Sequence, residues 1–236
     1  MNEADASIAG LVRPALPRIT EAVEAIAARL AAGGRLHYFG AGTSGWVARM
    51  DAAECPATFG VPADAVQAHT VTDEEEDDRA AGGDAARHAA VGPSDVVVGI
   101  SASGRTAFVL GALEEATARG ALTVSLTSNA RSRMARGVDI AIEVETGPEV
   151  VAGSTRLKAG TVQKLVLNML STAVFTRLGY THRGRMVGVV ASNQKLRGRA
   201  ARIVADLSGL SIEDARERLE AAGGDIKAVL AEVQRA

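Results

Sequence analysis

The chain has 236 residues, of which 47% are hydrophobic and 23% charged, with a formal net charge of −2 and one cysteine, Cys55. That length and apolar content suffice for one packed domain with a small appendage. The near balance of charge argues against nucleic acid or an anionic membrane surface as a partner, and a single cysteine excludes an internal disulfide framework.

No cationic leader with an apolar core is evident, and no apolar run is long enough to span a bilayer, so a cytoplasmic setting is the expectation. In chain order, residues 17–32 place Ile19, Val23, Ile26 and Leu30 at helical spacing and stop at Gly33-Gly34. Residues 35–39 read as a strand, 44–58 as a helix closing near Gly60, 65–71 as a second strand and 77–90 as a helix. The run Asp95-Val-Val-Val-Gly-Ile100 reads as a buried strand, followed by a helix over 105–119 and strands over 121–127 and 140–144. A polar connection over 147–158 leads into a long helix, 157–178, with Val162, Leu165, Val166, Met169 and Leu170 on its apolar face. Beyond Ser192 the chain is charged and helical, broken at Ser208-Gly209 and Gly223-Gly224, with Ser211-Ile-Glu-Asp214 as a capping-box-like start. Strands this apolar, separated by helices, predict an α/β fold: a doubly wound parallel five-stranded sheet covered on both faces within residues 1–190, and a small helical appendage over 191–236.

Two glycine turns rich in hydroxyls each follow a strand and open a helix: Gly40-Ala-Gly42-Thr43-Ser44-Gly45 and Ser101-Ala-Ser103-Gly104-Arg-Thr106. Unpaired N–H groups and hydroxyls at a helix start favour a phosphate dianion, and ligands of such sheets bind at the carboxyl ends of strands near the switch in strand order. Together the turns point to one phosphorylated small molecule, although helix capping alone also uses Ser and Thr at these places. Residues 40–45 fit a dinucleotide fingerprint too, which wants an acidic residue roughly 20 positions on. Glu54 falls too early for that and Asp73 too late, and the second turn would be left without a role. Four scattered histidines and one cysteine give no metal-ligand cluster.

Longer motifs carry a resemblance. Gly40-Ala-Gly-Thr-Ser-Gly45, Asp51-Ala-Ala-Glu-Cys-Pro56, Val98-Gly-Ile-Ser-Ala-Ser-Gly-Arg-Thr106, Gly147-Pro-Glu-Val150, Gly153-Ser-Thr-Arg-Leu-Lys-Ala-Gly-Thr161 and Gln163-Lys-Leu-Val-Leu-Asn-Met-Leu-Ser-Thr172 follow one another in order. With Asn193-Gln-Lys-Leu196 and the helical tail, they make residues 22–233 resemble the N-acetylmuramic acid 6-phosphate etherase family of sugar isomerase (SIS) domains. The resemblance implies a flavodoxin-like strand order, a homodimer, a UBA-like helical cap, a phosphorylated amino sugar as ligand and no cofactor. It implies a lyase that cleaves a D-lactyl ether. A sugar-phosphate isomerase of the same fold, or a non-catalytic sensor like the related glucokinase regulatory proteins, are the alternatives.

By the same resemblance Glu54 matches the acid that serves the leaving group; Ala52, Ala53, Cys55 and Pro56 would give it an apolar surrounding. Without the motif it would be an ordinary carboxylate on a solvated helix face. The base falls on Glu76, with Glu75 or Glu74 as substitutes within the acidic run 73–78. Gly42, Thr43, Ser44, Ser101, Ser103, Gly104 and Thr106 would bind the sugar phosphate, with Ser154, Arg156 and Lys158 from the polar connection. Lys158 would be a point charge for phosphate or carboxylate, or a surface lysine. The chain departs from the family in a shortened segment between Gly60 and Glu76, in a late N-terminal start, in a tail that ends after one helical unit, and in Trp46, where an arginine is usual. Trp46 either covers core or touches the sugar.

Overall fold

The computed structural model describes residues 1–189 and 194–233. The expected boundary at 190/191 and Asn193 of the tail motif lie outside the described residues. The chain divides into two compact units, Met1–Ala53 with Asp64–Val174, and Glu54–Ala63 with Phe175–Ala236.

The first unit opens with two short helices, α1 (Asn2–Ala6) and α2 (Ile8–Val12), ahead of α3 (Leu16–Ala31). Five residues each, with only Ile8 and Val12 buried, they are too short to leave a periodic signal in the sequence. Then follow β1 (Leu36–Ala41), α4 (Gly42–Phe59), β2 (Val66–Val71), α5 (Arg79–His88), β3 (Val96–Ser101), α6 (Ala107–Ala118), β4 (Leu122–Thr127), β5 (Ile140–Glu143) and α7 (Lys158–Arg177). The helix expected over 77–90 is shorter because Asp78 caps it, its Oδ1 accepting from Ala81 N at 3.0 Å, while Asp73–Glu75 forms a separate 3-10 turn.

All five strands are parallel, in the order β2-β1-β3-β4-β5, the doubly wound arrangement expected from the sequence. β1 and β3 are buried along their whole length, which explains their near-continuous apolar runs. Leu36 faces Val66 on one side and Val96 on the other, so the chain leaves β1 toward one edge and returns to β3 on the opposite side. That makes the ends of β1 and β3 the switch point, and both hydroxyl turns follow those two strands. One layer of the core joins Phe39, Val97, Phe108, Val109 and Leu113.

Helices α5 and α6 meet backbone to backbone. A Cβ on Gly82 would lie 1.8 Å from Phe108 O, and one on Gly111 would lie 1.9 Å from Arg79 O. Only glycine fits at either place. The approach draws the acidic segment before α5 up to the start of α6.

In the second unit, Val187, Val189, Ala200, Val204, Leu219, Ile226 and Val229 form a separate small core among α8 (Gln194–Ser208), α9 (Ile212–Ala221) and α10 (Ile226–Val233). Ser211 caps α9 as expected, accepting from Asp214 N at 3.0 Å and donating to Asp214 Oδ2 at 2.8 Å. A two-residue hairpin, β6 (Thr181–His182) and β7 (Arg185–Met186), precedes these helices.

The sheet also buries a charged cluster at the amino ends of β1 and β3. Asp95 accepts from Arg35 N at 2.8 Å, from Arg35 Nη2 at 3.1 Å and from Gly92 N at 2.9 Å. Burial opposes its charge, yet these hydrogen bonds hold its carboxyl below the usual range. His37 is fully buried, with Nδ1 3.1 Å from His69 Nε2 and Nε2 3.8 Å from Asp95 Oδ2. Burial first, then His69 and Arg35, push the His37 pKa down to about 4 against the opposing pull of Asp95.

A histidine with a lowered folded pKa contributes stability above its unfolded value of 6.5 that is lost as pH falls through about 4. Stability against denaturant is therefore expected to fall as pH drops from 6.5 to 4, by up to about 3 kcal/mol from this group. His37→Gln is expected to flatten that slope by about one proton; an unchanged slope would remove His37 as its source.

Candidate active site

Ser101 ends β3 with its hydroxyl turned into the loop that follows. Its Oγ lies 2.8 Å from Thr106 Oγ1 and 3.3 Å from Ser103 Oγ, and accepts from Gly104 N at 3.1 Å. Ser103 Oγ accepts from Arg105 N at 3.2 Å. Three hydroxyls and two backbone donors thus form one continuous network at the start of α6. Gly104 takes φ +65°, and a Cβ there would lie 2.4 Å from Ser132 Cβ, so both conformation and space require glycine.

Glu76 is joined to that network. Its Oε1 accepts from Thr106 Oγ1 at 3.2 Å and its backbone carbonyl accepts from Phe108 N at 3.1 Å. The carboxylate therefore sits at the helix start, the positive end of α6. Of the acidic run, Glu76 is half-buried, whereas Glu74 and Glu75 are exposed. Among the described residues, only Glu76 of these three bonds to the hydroxyl turn.

The first turn opens α4, with Gly42 and Thr43 half-buried and Ser44 buried. The start of α7 packs on it: a Cβ on Gly160 would lie 3.1 Å from Thr43 Cγ2. The N-terminus of α7 is itself already occupied by a carboxylate. Glu149 accepts from Lys158 N and from Ala159 N, each at 3.0 Å, satisfying two of the donors that a helix leaves open. Lys158 Nζ donates to Thr146 O at 2.5 Å, so its ammonium is held against the chain at that loop. Ser154 is half-buried and Arg156 exposed.

A cavity of about 320 Å³ opens beside the second turn, lined by Ser103, Arg105, Ser128, Asn129, Thr146 and Thr155 among others. Ser128 Oγ is buried there without a hydrogen-bond partner. Of the residues expected to bind ligand, Ser103 lines this cavity; Gly42, Thr43, Ser44, Ser101, Gly104, Thr106, Ser154, Arg156 and Lys158 do not. Ser128, Asn129 and Thr146 carry no motif of their own. None of the three was named from the sequence; the signal that could have found Ser128 and Asn129 is that they directly follow β4, since ligands sit past the carboxyl ends of parallel strands.

Behind the first turn, Asp51 is 4% exposed on α4. It accepts from Tyr38 Oη at 3.0 Å, from Asn168 Nδ2 at 2.9 Å and from Ser171 Oγ at 3.0 Å. Burial raises its pKa, and the bonds from Ser171, Tyr38 and Asn168 counter part of that shift. This carboxyl joins β1, α4 and α7, and it assigns a role to positions inside two of the motifs.

Two expectations about α4 change. Glu54, grouped with the second unit, stands exposed, while Ala52 and Cys55 on the same helix are buried; the small apolar neighbours pack inward and leave the carboxylate in solvent. Trp46 is 68% exposed, its ring 6.0 Å from the Arg49 guanidinium, so it covers no core; it does not line the cavity beside the second turn.

A parallel sheet of this order, with phosphate-type turns on its two switch-point strands, defines a SIS domain, and the model of that domain family matches residues 1–128. Solved structures share the fold: phosphoheptose isomerase of Neisseria gonorrhoeae (20% identity, TM-score 0.55, covering 74% of this chain and 94% of that one) and the NanR protein of Vibrio vulnificus complexed with ManNAc-6P (18%, 0.53, 75% and 63%). Closer in sequence are the N-acetylmuramic acid 6-phosphate etherases of Thermobifida fusca, 48% identical over 98% of this chain and 78% of the relative, and of Symbiobacterium thermophilum, 48% identical over 96% and 78%. The chain belongs to the N-acetylmuramic acid 6-phosphate etherase family.

Truncating Asp51 removes an acceptor from three donors, Tyr38 and Ser171 buried and Asn168 half-buried. Asp51→Ala is expected to destabilise the fold by about 1–3 kcal/mol for each group left unpaired, whereas Asp51→Asn costs less. Urea unfolding of the two variants checks the ranking, and equal costs would remove the network from this role.

Proposed function

We propose that this chain is a lyase that cleaves the D-lactyl ether of N-acetylmuramic acid 6-phosphate, yielding N-acetylglucosamine 6-phosphate and D-lactate. The observation that carries the reading is 48% identity to a named etherase over 98% of the chain. The geometry at the second turn supports it, because a carboxylate bonded to a hydroxyl network is the pairing of base and phosphate site that the reaction needs.

In the open-chain sugar the C1 aldehyde acidifies the C2 proton. Glu76 removes that proton and the C3–O bond breaks; Glu54 supplies a proton to the departing lactate oxygen. Water then adds at C3, giving its proton to Glu54, while Glu76 returns a proton to C2. The sequence requires no redox step and no electron sink beyond the aldehyde. Gly42, Thr43, Ser44, Ser101, Ser103, Gly104 and Thr106 hold the phosphate through N–H and hydroxyl donors, and Ser154, Arg156 and Lys158 complete the substrate's polar contacts. The elimination has one demand that isomerisation lacks, a second carboxyl group to protonate the leaving group, and this reading gives that part to Glu54.

The setting we assign is the cytoplasm. A phosphorylated substrate and a lone, buried cysteine support it. Among the described residues, no helix is long and apolar enough to cross a membrane.

With the sugar phosphate in deuterated water, Glu54→Gln is expected to keep some hydrogen exchange at C2 while releasing no lactate, and Glu76→Gln to lose both. Losses of about 10²–10⁴-fold are the scale for an acid or base. Full exchange by Glu76→Gln would transfer the base role elsewhere, and absence of D-lactate from the unaltered protein would overturn the lyase reading.

We further propose that two copies pair. Trp46 and Met50, four residues apart on α4 and 68% and 46% exposed, support an apolar contact there. Sedimentation equilibrium is expected to give twice the chain mass, and Trp46→Glu to shift it toward the single chain; a monomer from the unaltered protein refutes the pairing.

A further inference from the structure

A second cavity, about 490 Å³, adjoins the one beside the hydroxyl turn and shares Ser103, Arg105 and Asn129 with it. Four of its eight lining residues are arginines, Arg105, Arg131, Arg133 and Arg136, and none is acidic. All four side chains are exposed. Among the described residues, none of them makes an ion pair, whereas Arg79, Arg87 and Arg119 on the neighbouring helices are each paired with glutamate. Four positive charges at one cavity in a chain of net charge −2 form a local field opposite to the molecule as a whole.

The loop that carries three of these arginines is fastened to the hydroxyl turn. Ser128 N and Asn129 Nδ2 donate to Ala102 O at 3.1 and 2.9 Å, and Met134 N donates to Gly104 O at 3.1 Å. Ser132 is locked between Glu143, whose Oε1 accepts from its N–H at 3.2 Å, and Ala135 N, which donates to its Oγ at 3.2 Å. Arg131 takes φ +54°, uncommon for a long side chain, and its carbonyl accepts from Arg136 Nη2 at 3.4 Å. Backbone bonding thus fixes where the guanidinium groups emanate, and Glu143 spends itself on a backbone N–H of the same loop. Among the described residues, the bond from Arg136 to the Arg131 carbonyl is the one hydrogen bond these four guanidinium groups make.

We propose that Arg131, Arg133 and Arg136, with Arg105 at the shared wall, form a second anion site that takes the diphosphate group of a small molecule. Guanidinium forks bind phosphate oxygens in bidentate fashion, and one monophosphate offers too little charge and too few oxygens for four of them. A diphosphate supplies both. Because Ser103, Arg105 and Asn129 line both cavities, a diphosphate seated on the arginines overlaps the phosphate position of the sugar, and the two ligands exclude one another. The exclusion rests on the reading of the hydroxyl turn as the sugar-phosphate site; binding of the diphosphate does not.

Inorganic pyrophosphate is the probe, with inorganic phosphate compared at the same ionic strength. Calorimetry on the unaltered protein is expected to show pyrophosphate binding at least tenfold tighter than phosphate and weakening with salt, as exposed charges do. The variant Arg131→Asn, Arg133→Ser, Arg136→Gln is expected to lose at least tenfold in pyrophosphate affinity and to keep kcat and KM for lactate release within twofold; asparagine tolerates the left-handed backbone at 131. Arg133→Ser and Arg136→Gln alone, each expected to lose part of the affinity, guard against a folding failure of the triple variant. Equal affinity for pyrophosphate and phosphate, or pyrophosphate affinity unchanged in the triple variant, overturns the site. A raised KM for the sugar phosphate in the triple variant, without loss of pyrophosphate binding, would assign the arginines to the substrate instead. Binding is read without lactate release, so a protein that binds pyrophosphate but frees no lactate would leave this site standing and sink the lyase reading alone.

Discussion

A parallel sheet covered on both faces confines its chemistry to one edge. Along β1 and β3 every side chain is buried, so donors and hydroxyls capable of meeting a ligand are available only where the strands stop and the helices begin. The site follows from that constraint. The two turns emerge from adjacent strands, and their helices α4 and α6 direct backbone donors at the same edge, while Glu149 already fills the corresponding end of α7.

The position of Glu76 depends on the contact between α5 and α6. The approach of α5 to α6 at Gly82 and Gly111 brings the acidic run to the start of α6, where Thr106 and Phe108 bind it. An acidic run is ordinarily a solvated face. Here one of its members is singled out by two hydrogen bonds and by partial burial, so neighbours identical in chemistry differ in what they can do.

The fold was readable because its signals are local: five apolar runs, two glycine turns and helices with clear stops account for the strands and helices, while the order of the strands came from the resemblance. The turns stood out in the sequence, although helix capping uses the same residues, and within the acidic run the resemblance left Glu74 and Glu75 open beside Glu76; the bond from Thr106 to Glu76 comes from the approach of α5 to α6 and has no signal in spacing. Asp51 was visible only as part of a motif, because its partners Tyr38, Asn168 and Ser171 are brought to it by the fold and not by spacing. The arginines after β4 were missed for a related reason. Scattered through a loop they look like surface charge, and only the hydrogen bonds to Ala102 and Gly104 gather them at one cavity. Of the two readings of Trp46, its exposed ring removes the one in which it covers core.

The Asp51 arrangement has a consequence for divergence. A single buried carboxyl on α4 accepts from three side chains on two further elements, Tyr38 on β1 and Asn168 and Ser171 on α7, so loss of the acceptor takes a partner from all three donors, while loss of one donor leaves the acceptor one hydrogen bond fewer in a dry environment. Neither step is neutral alone. Positions 38, 51, 168 and 171 are thereby bound to vary in concert, and a lineage that escapes this arrangement has to replace polar by apolar residues at all four places within few generations of one another.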